Sequence, residues 1–409
     1  MKNSLLFFLL LVSSLVKAQI KDTLNIALFV YDGVELLDFT GPGEVFAASS
    51  YYTNLYHFNV YTVAKEEQLT SQDFLSITPN YNLDNAPKSD VLILPGGNAG
   101  SVFNDRTVQS WIKDEIENAT NVLTVCSGVY FLEKPGKLEG IKVTSHHKII
   151  PFLRETLDAE NVIDDVKYVD SGKIVTSAGV SSGIEGALLM VSKIAGYEVA
   201  NRTARYMEYP QWDISNGRIT YDLIKNADAL LEDKEEPFVF GTFDLAGYKA
   251  LSENDKERAH NFFYQNSLYF PKSATAYYGL AKAMSSTIDW VPPTYEDYLD
   301  VLRNDGAEKG RKIYDKAKKI FPDWLLFTQK DIKVRGSNLL NEENIQAAEL
   351  VFSMGVDSYP NDLELHIQLI EAQIRLKKSK KAKESISMAL VHFPKNEQLL
   401  SLEQILNSK

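Results

Sequence analysis

Asn121-Val122-Leu123-Thr124-Val125-Cys126-Ser127-Gly128 is the stretch on which the fold of this chain turns. A short run rich in Val, Leu and Thr stops at a cysteine and a Ser-Gly pair, which predicts a buried strand followed by a sharp turn into a helix. A thiol at such a turn faces the N–H groups of a helix N-terminus, which favour the thiolate. The expectation is a pKa lowered from about 8.5 to roughly 3.5–7.5. Hydrolases mount a serine on the same strand–turn–helix elbow. Cys126 is the only cysteine in 409 residues, so thiol chemistry has one candidate.

Working outward, residues 22–210 alternate strand-like and helix-like segments. Strands are predicted at Leu24–Tyr31, Phe58–Val63, Val91–Leu94, Asn121–Val125, Lys142–Ser145 and Lys173–Ser177. Helical spacing appears at Glu35–Ala48, with Pro42 inside it, at Thr107–Ala119 and at Gly183–Ala195. Short apolar strands separated by helices imply an α/β fold with a mostly parallel sheet covered on both faces. The α/β domain is placed at 22–215. A linker is placed at 216–245, where the charged run Glu232-Asp233-Lys234-Glu235-Glu236 precedes Pro237.

Residues 246–409 read as an all-α domain with an internal repeat. Four aromatic-Pro pairs occur: Phe270-Pro271, Phe321-Pro322, Tyr359-Pro360 and Phe393-Pro394, the last two prolines 34 residues apart. Eight residues before each proline stands a large residue, Phe263, Tyr314, Phe352 or Ile386, and twelve before stands a small one, Ala259, Gly310, Ala348 or Ala382. Small residues let paired helices approach, the large one fills the gap, and the proline ends the second helix. The pattern resembles the tetratricopeptide repeat. Such a repeat implies docking of a peptide or protein on a helical surface.

The N-terminus has the layout of a secretory signal peptide over residues 1–18. Lys2 precedes an apolar stretch, Leu5 to Val12, and Val16-Lys17-Ala18 supplies small residues before Gln19. The stretch falls short of the ~20 apolar residues of a membrane span. The protein is therefore expected to be exported, periplasmic or secreted, with no span in the mature chain. The net charge is −12, which disfavours nucleic acid as a partner. No metal site is expected, since there is neither a paired-Cys motif nor His-Glu-x-x-His, and no cofactor is called for.

In an open parallel sheet, ligands sit at the C-terminal ends of the strands. Three features converge there. Cys126 is the nucleophile. Gly96 and Gly97, after Val91–Leu94, could turn backbone N–H groups toward a developing oxyanion, together with the N–H of Ser127. Asp38, in Glu35-Leu36-Leu37-Asp38-Phe39, is an acid among apolar residues and is expected to be held partly buried and protonated. His146 and His147 are adjacent, and on a strand they would face opposite ways.

The segments Tyr31–Asp38, Leu94–Gly97, Val125–Gly128 and Thr176–Leu188 resemble the ThiJ/PfpI superfamily, in the branch of isonitrile hydratases and AraC-type ligand domains. The resemblance implies a flavodoxin-like three-layer sandwich, usually dimeric. It implies Cys126 as elbow nucleophile and Asp38 as the acid beside it. Ser127 stands where that branch usually carries Thr, and His146 matches a His of that segment. No second His follows the cysteine, which argues against a protease-like Cys-His pair. The implied activity is hydration of a small carbon–nitrogen substrate. The alternatives are a ligand-sensing module, or a scaffold of the cell envelope.

Overall fold

The computed structural model describes residues 22–53, 55–232, 240–270, 275–284, 293, 295–322, 326–327 and 329–407. The expected export signal, 1–18, and the charged break after Glu232 lie outside the described residues. The chain divides into two compact units, Met1–Ala246 and Gly247–Lys409.

The first unit opens with β1 (Asp22–Phe29), α1 (Leu36–Ser49) and β2 (Tyr56–Ala64), then a small hairpin, β3 (Leu69–Ser71) and β4 (Leu75–Ile77). β5 (Tyr81–Asn82), β6 (Val91–Leu94), α2 (Gly100–Phe103), α3 (Arg106–Asn118) and β7 (Asn121–Val125) follow. After the elbow come α4 (Ile150–Thr156), β8 (Tyr168–Asp170), β9 (Ile174–Ser177), α5 (Ser182–Ala195), α6 (Tyr197–Tyr206) and β10 (Arg218–Ile219). Eight strands form one sheet in the order β10-β8-β9-β7-β6-β1-β2-β5. Its centre, β2-β1-β6-β7-β9, is parallel throughout. That is the open flavodoxin-like order, in which the chain winds outward in both directions from the first strand.

Strands covered on both faces must be apolar along their length. β6 and β7 are buried at every residue. Successive residues of β1 serve opposite faces. Leu28 meets Gly43 of α1, while Phe29 lies 5.7 Å, ring to ring, from Trp111 of α3. α5 packs beside α1 and over β7 and β9. α3 starts where Asp105 accepts hydrogen bonds from the N–H groups of Thr107 and Val108, at 2.9 and 3.2 Å.

Two local expectations are corrected. Lys142–Ser145 is not a strand. Only Val143 bridges, to Val162, because Ser145 is drawn instead to the elbow, its Oγ donating to the Cys126 carbonyl at 2.7 Å. β8 adds an antiparallel neighbour to β9, which no periodicity in three residues could announce. The segment read as a linker, 216–245, carries β10, paired to β8, and a helix at Leu223–Glu232.

The second unit is helical at every described element. Each aromatic of the four aromatic-Pro pairs is a helix C-cap: Phe270, Phe321, Tyr359 and Phe393. Phe263 and Phe352 are fully buried and press on glycines of neighbouring helices. A Cβ on Gly279 would fall 2.4 Å from the Phe263 ring, and one on Gly336 would fall 2.2 Å from that of Phe352.

Candidate active site

The site is assembled from the C-terminal ends of β1, β6, β7 and β9. β7 ends at Val125, and Cys126 begins a 3-10 turn running to Leu132. Its φ is +58°, the left-handed region that a non-glycine residue adopts only when its surroundings hold it there. Two glycines make the elbow fit. A Cβ on Gly128 would come within 2.0 Å of the Leu94 carbonyl oxygen, so the turn rests directly on the end of β6. A Cβ on Gly179 would lie 2.9 Å from the Cβ and 3.0 Å from the Sγ of Cys126, so the loop after β9 forms one wall against the thiol.

Asp38 sits in the first turn of α1 and is fully buried. Its Oδ2 accepts the Gly96 N–H at 3.0 Å, while Oδ1 is buried with no hydrogen-bond partner. Four residues on, Pro42 supplies no N–H to the Asp38 carbonyl, so α1 starts without that rung. The Cys126 thiol and the Asp38 carboxyl lie within electrostatic reach of each other. Ser127 faces the sulfur with both its N–H and its hydroxyl.

Burial pushes the Asp38 carboxyl up to about 7, helped by the nearby Glu35 carboxylate and opposed by the Gly96 N–H. Burial also pushes the Cys126 thiol up to about 12, with the Asp38 charge adding to the rise and Ser127 opposing it. This corrects the expected lowering. The N–H of Ser127 does favour the thiolate, but burial and the acid next door outweigh it. At neutral pH the pair is a thiol beside a half-titrated acid.

The chain belongs to the DJ-1/PfpI family. The family profile matches residues 24–193, from β1 into α5. Isonitrile hydratase of Pseudomonas putida is 30% identical over 191 residues, 46% of this chain and 78% of that protein. Protein DJ-1alpha of Drosophila melanogaster is 31% identical over 136 residues, 32% of this chain and 61% of that protein. The crystal structure of a ThiJ/PfpI family protein from Pseudomonas syringae is 24% identical, covers 61% of this chain and 94% of that one, and superposes with a TM-score of 0.42.

Within this DJ-1/PfpI domain the glycine turn plays a different part from the one read in the sequence. Gly96 N–H is engaged by Asp38, and Gly97 N–H by Ser127 Oγ at 3.2 Å. The turn therefore holds the acid and the hydroxyl in place, and the backbone N–H facing the sulfur is that of Ser127. Gly97 has φ +130° and lies so close to the turn after β1 that a Cβ would fall 2.5 Å from the Gly33 oxygen.

The two histidines also differ from expectation. They lie in the turn that leads into α4, not on a strand. Their rings are 4.1 Å apart, and both line one cleft beside the elbow. Burial and the neighbouring His147 hold His146 below its ordinary pKa.

Three further residues belong to the site. Tyr31 is fully buried just past the end of β1, and its hydroxyl donates to the Pro95 carbonyl at 3.2 Å. Its ring meets Phe131 of the elbow turn at 5.8 Å. Tyr31 thus ties β1, the glycine turn and the elbow together. Glu35 acts electrostatically on Asp38, Cys126 and Tyr31. Gly179 is the wall against the thiol. Glu35 and Gly179 stand inside segments that carried the resemblance, but only the assembled fold shows what they touch. Among the described residues no group of three or more His, Cys, Asp or Glu side chains could hold a metal ion.

Proposed function

We propose that the α/β domain is a cysteine-dependent hydratase of small carbon–nitrogen substrates, with isonitriles as the favoured class. One observation carries the reading: a fully buried carboxyl, pushed up to about 7, with one oxygen fixed by Gly96 and the other unpartnered, beside the elbow thiol. Such a group is a proton donor at neutral pH. An isonitrile carbon is weakly basic and becomes strongly electrophilic once protonated. Asp38 gives its proton to that carbon. The Cys126 sulfur then forms a bond to the same carbon while the thiol proton passes to the Asp38 carboxylate, leaving a thioimidate. Water adds to the thioimidate carbon, the C–S bond breaks, and sulfur regains a proton as the N-substituted formamide leaves. The substrate and one water account for every atom of the product. A high thiol pKa suits this sequence, because sulfur and acid share the proton and no standing thiolate is required. The similarity to the Pseudomonas putida isonitrile hydratase supports the same chemistry.

The test is formation of N-cyclohexylformamide from cyclohexyl isocyanide by the full-length chain. Removal of either group, Cys126→Ala or Asp38→Asn, is expected to lower the rate by about 10²–10⁴. A ligand-sensing role is the second reading, favoured by the same high thiol pKa. It is marked by ligand retained unchanged.

Three wider readings complete the proposal. Residues 1–18 act as an export signal, supported by Lys2, the Leu5–Val12 run and Ala18, and tested by whether the exported chain begins at Gln19. The helical unit is a tetratricopeptide-like platform for a peptide or protein, supported by its repeated small, large and aromatic-Pro positions. The α/β domain forms a homodimer, as the family resemblance implies, and sedimentation tests this.

A further inference from the structure

Beside the elbow lies a cleft of about 750 Å³, a size suited to a small-molecule ligand. Two of its walls touch the cysteine directly. Gly179 lies against Sγ, and Ser145 holds the Cys126 carbonyl. The cleft therefore borders Cys126 through these two residues and has room for a substituent carried beyond the reactive carbon.

Its lining is unusually polar for a ligand site. Ile150, Val166, Ala178 and Gly179 are the non-polar members, and the remaining walls include the His146–His147 pair, Asp165, Lys167, Ser182 and Asn216. Asp164 is paired with Arg154 at 2.9 Å, and Asn216 bonds the buried Glu185 at 3.1 Å, so these two are tied into the protein. Ser182, at the start of α5, is 3% exposed and lines the cleft. Around the thiol, the charged groups acting on Cys126 are Asp38 and Glu35, both acids. A hydrocarbon substituent would strip water from the polar lining without replacing its hydrogen bonds.

We propose that the cleft between the His146–His147 turn, residues 164–167 and the start of α5 is the substituent-binding half of the Cys126 site, and that it selects substrates bearing hydroxyl or amino groups over hydrocarbon ones. This rests on the hydratase reading for the reactive end of the molecule. It specifies the other end from residues that reading does not use.

The test is binding rather than turnover, so that the two can fail separately. Calorimetry on the full-length chain would compare two formamides, N-(2-aminoethyl)- and N-cyclohexylformamide. The aminoethyl compound is expected to bind at least tenfold more tightly than the cyclohexyl one. Asp165→Asn, which tolerates the φ of +55° at that position, and Ser182→Ala are each expected to remove most of that preference. Equal or tighter binding of the cyclohexyl compound, no binding of either, or a preference unchanged in both variants would overturn the assignment. Failure of the hydratase reading would appear instead as absence of formamide from any isocyanide, with the binding order intact.

Discussion

The Gly96 N–H donates to Asp38 Oδ2 at 3.0 Å, while the other oxygen of the same carboxylate is buried without a partner. One hydrogen bond is too few to hold a buried carboxylate charged at neutral pH. It is enough to fix the direction in which the proton is offered. The site is built on that imbalance.

Its first consequence is a stability that falls with pH. The Asp38 pKa is raised from 3.8 to about 7 in the folded state, so the native protein holds a proton that the unfolded chain releases between those values. Stability contributed by the neutral acid is present below the unfolded value and is lost as pH rises. Between pH 5 and 8 the loss integrates to roughly 2–3 kcal/mol. Urea unfolding of wild type against Asp38→Asn should show this slope in wild type and its absence in the variant. Equal slopes would mean Asp38 is ionised in the native state at pH 5.

Tyr31 should matter for stability and for the site at once. Tyr31→Phe removes the donor to the Pro95 carbonyl and leaves a buried acceptor unsatisfied, at a cost of about 1–3 kcal/mol. The Gly96 N–H should then hold Asp38 less well and the acid should titrate higher. Thermal melting reads the first effect, and the pH midpoint of Asp38, followed by infrared absorption of its carboxyl, reads the second.

Gly179→Ala tests the wall against the thiol. Its backbone conformation is ordinary, so an alanine meets no φ strain, yet its Cβ would lie 3.0 Å from Sγ. Alkylation of Cys126 by iodoacetamide should slow at least tenfold, with a much smaller change in melting temperature. Unchanged alkylation would place the approach to the sulfur on another side.

In the helical unit, Gly336→Ala would drive a methyl to 2.2 Å from the Phe352 ring. Phe352 is fully buried and cannot swing aside, so overpacking should cost about 1–3 kcal/mol. Urea unfolding of the full-length chain measures it.

The parallel core was legible in the sequence because both faces of its strands are buried. Val91–Leu94 is a continuous apolar run for that reason, and Asn121–Val125, buried at every residue, carries Val122, Leu123 and Val125. Lys142–Ser145 looked similar but ends in a serine bonded to the elbow, a tertiary contact that local pattern does not record. The three-residue β8 exists because β9 offers it an edge. At the site, Cys126, Asp38 and the glycine turn were legible as a constellation of residue types. Their protonation was only half legible. The acid could be read as buried because apolar residues flank it in the chain, whereas the thiol's rise comes from Asp38, Glu35 and walls brought in from distant segments. Which N–H group serves which oxygen, and that the His146 and His147 rings lie side by side on one cleft, are facts of turn geometry.

The pH dependence of isocyanide hydration tests the central claim most directly. With Asp38 as the proton donor, kcat/KM for cyclohexyl isocyanide should be level below about pH 7 and fall roughly tenfold per unit above it, and Asp38→Asn should abolish that limb together with most of the rate. A rate that climbs with pH, as for a thiolate acting alone, or one indifferent to Asp38, would contradict the account.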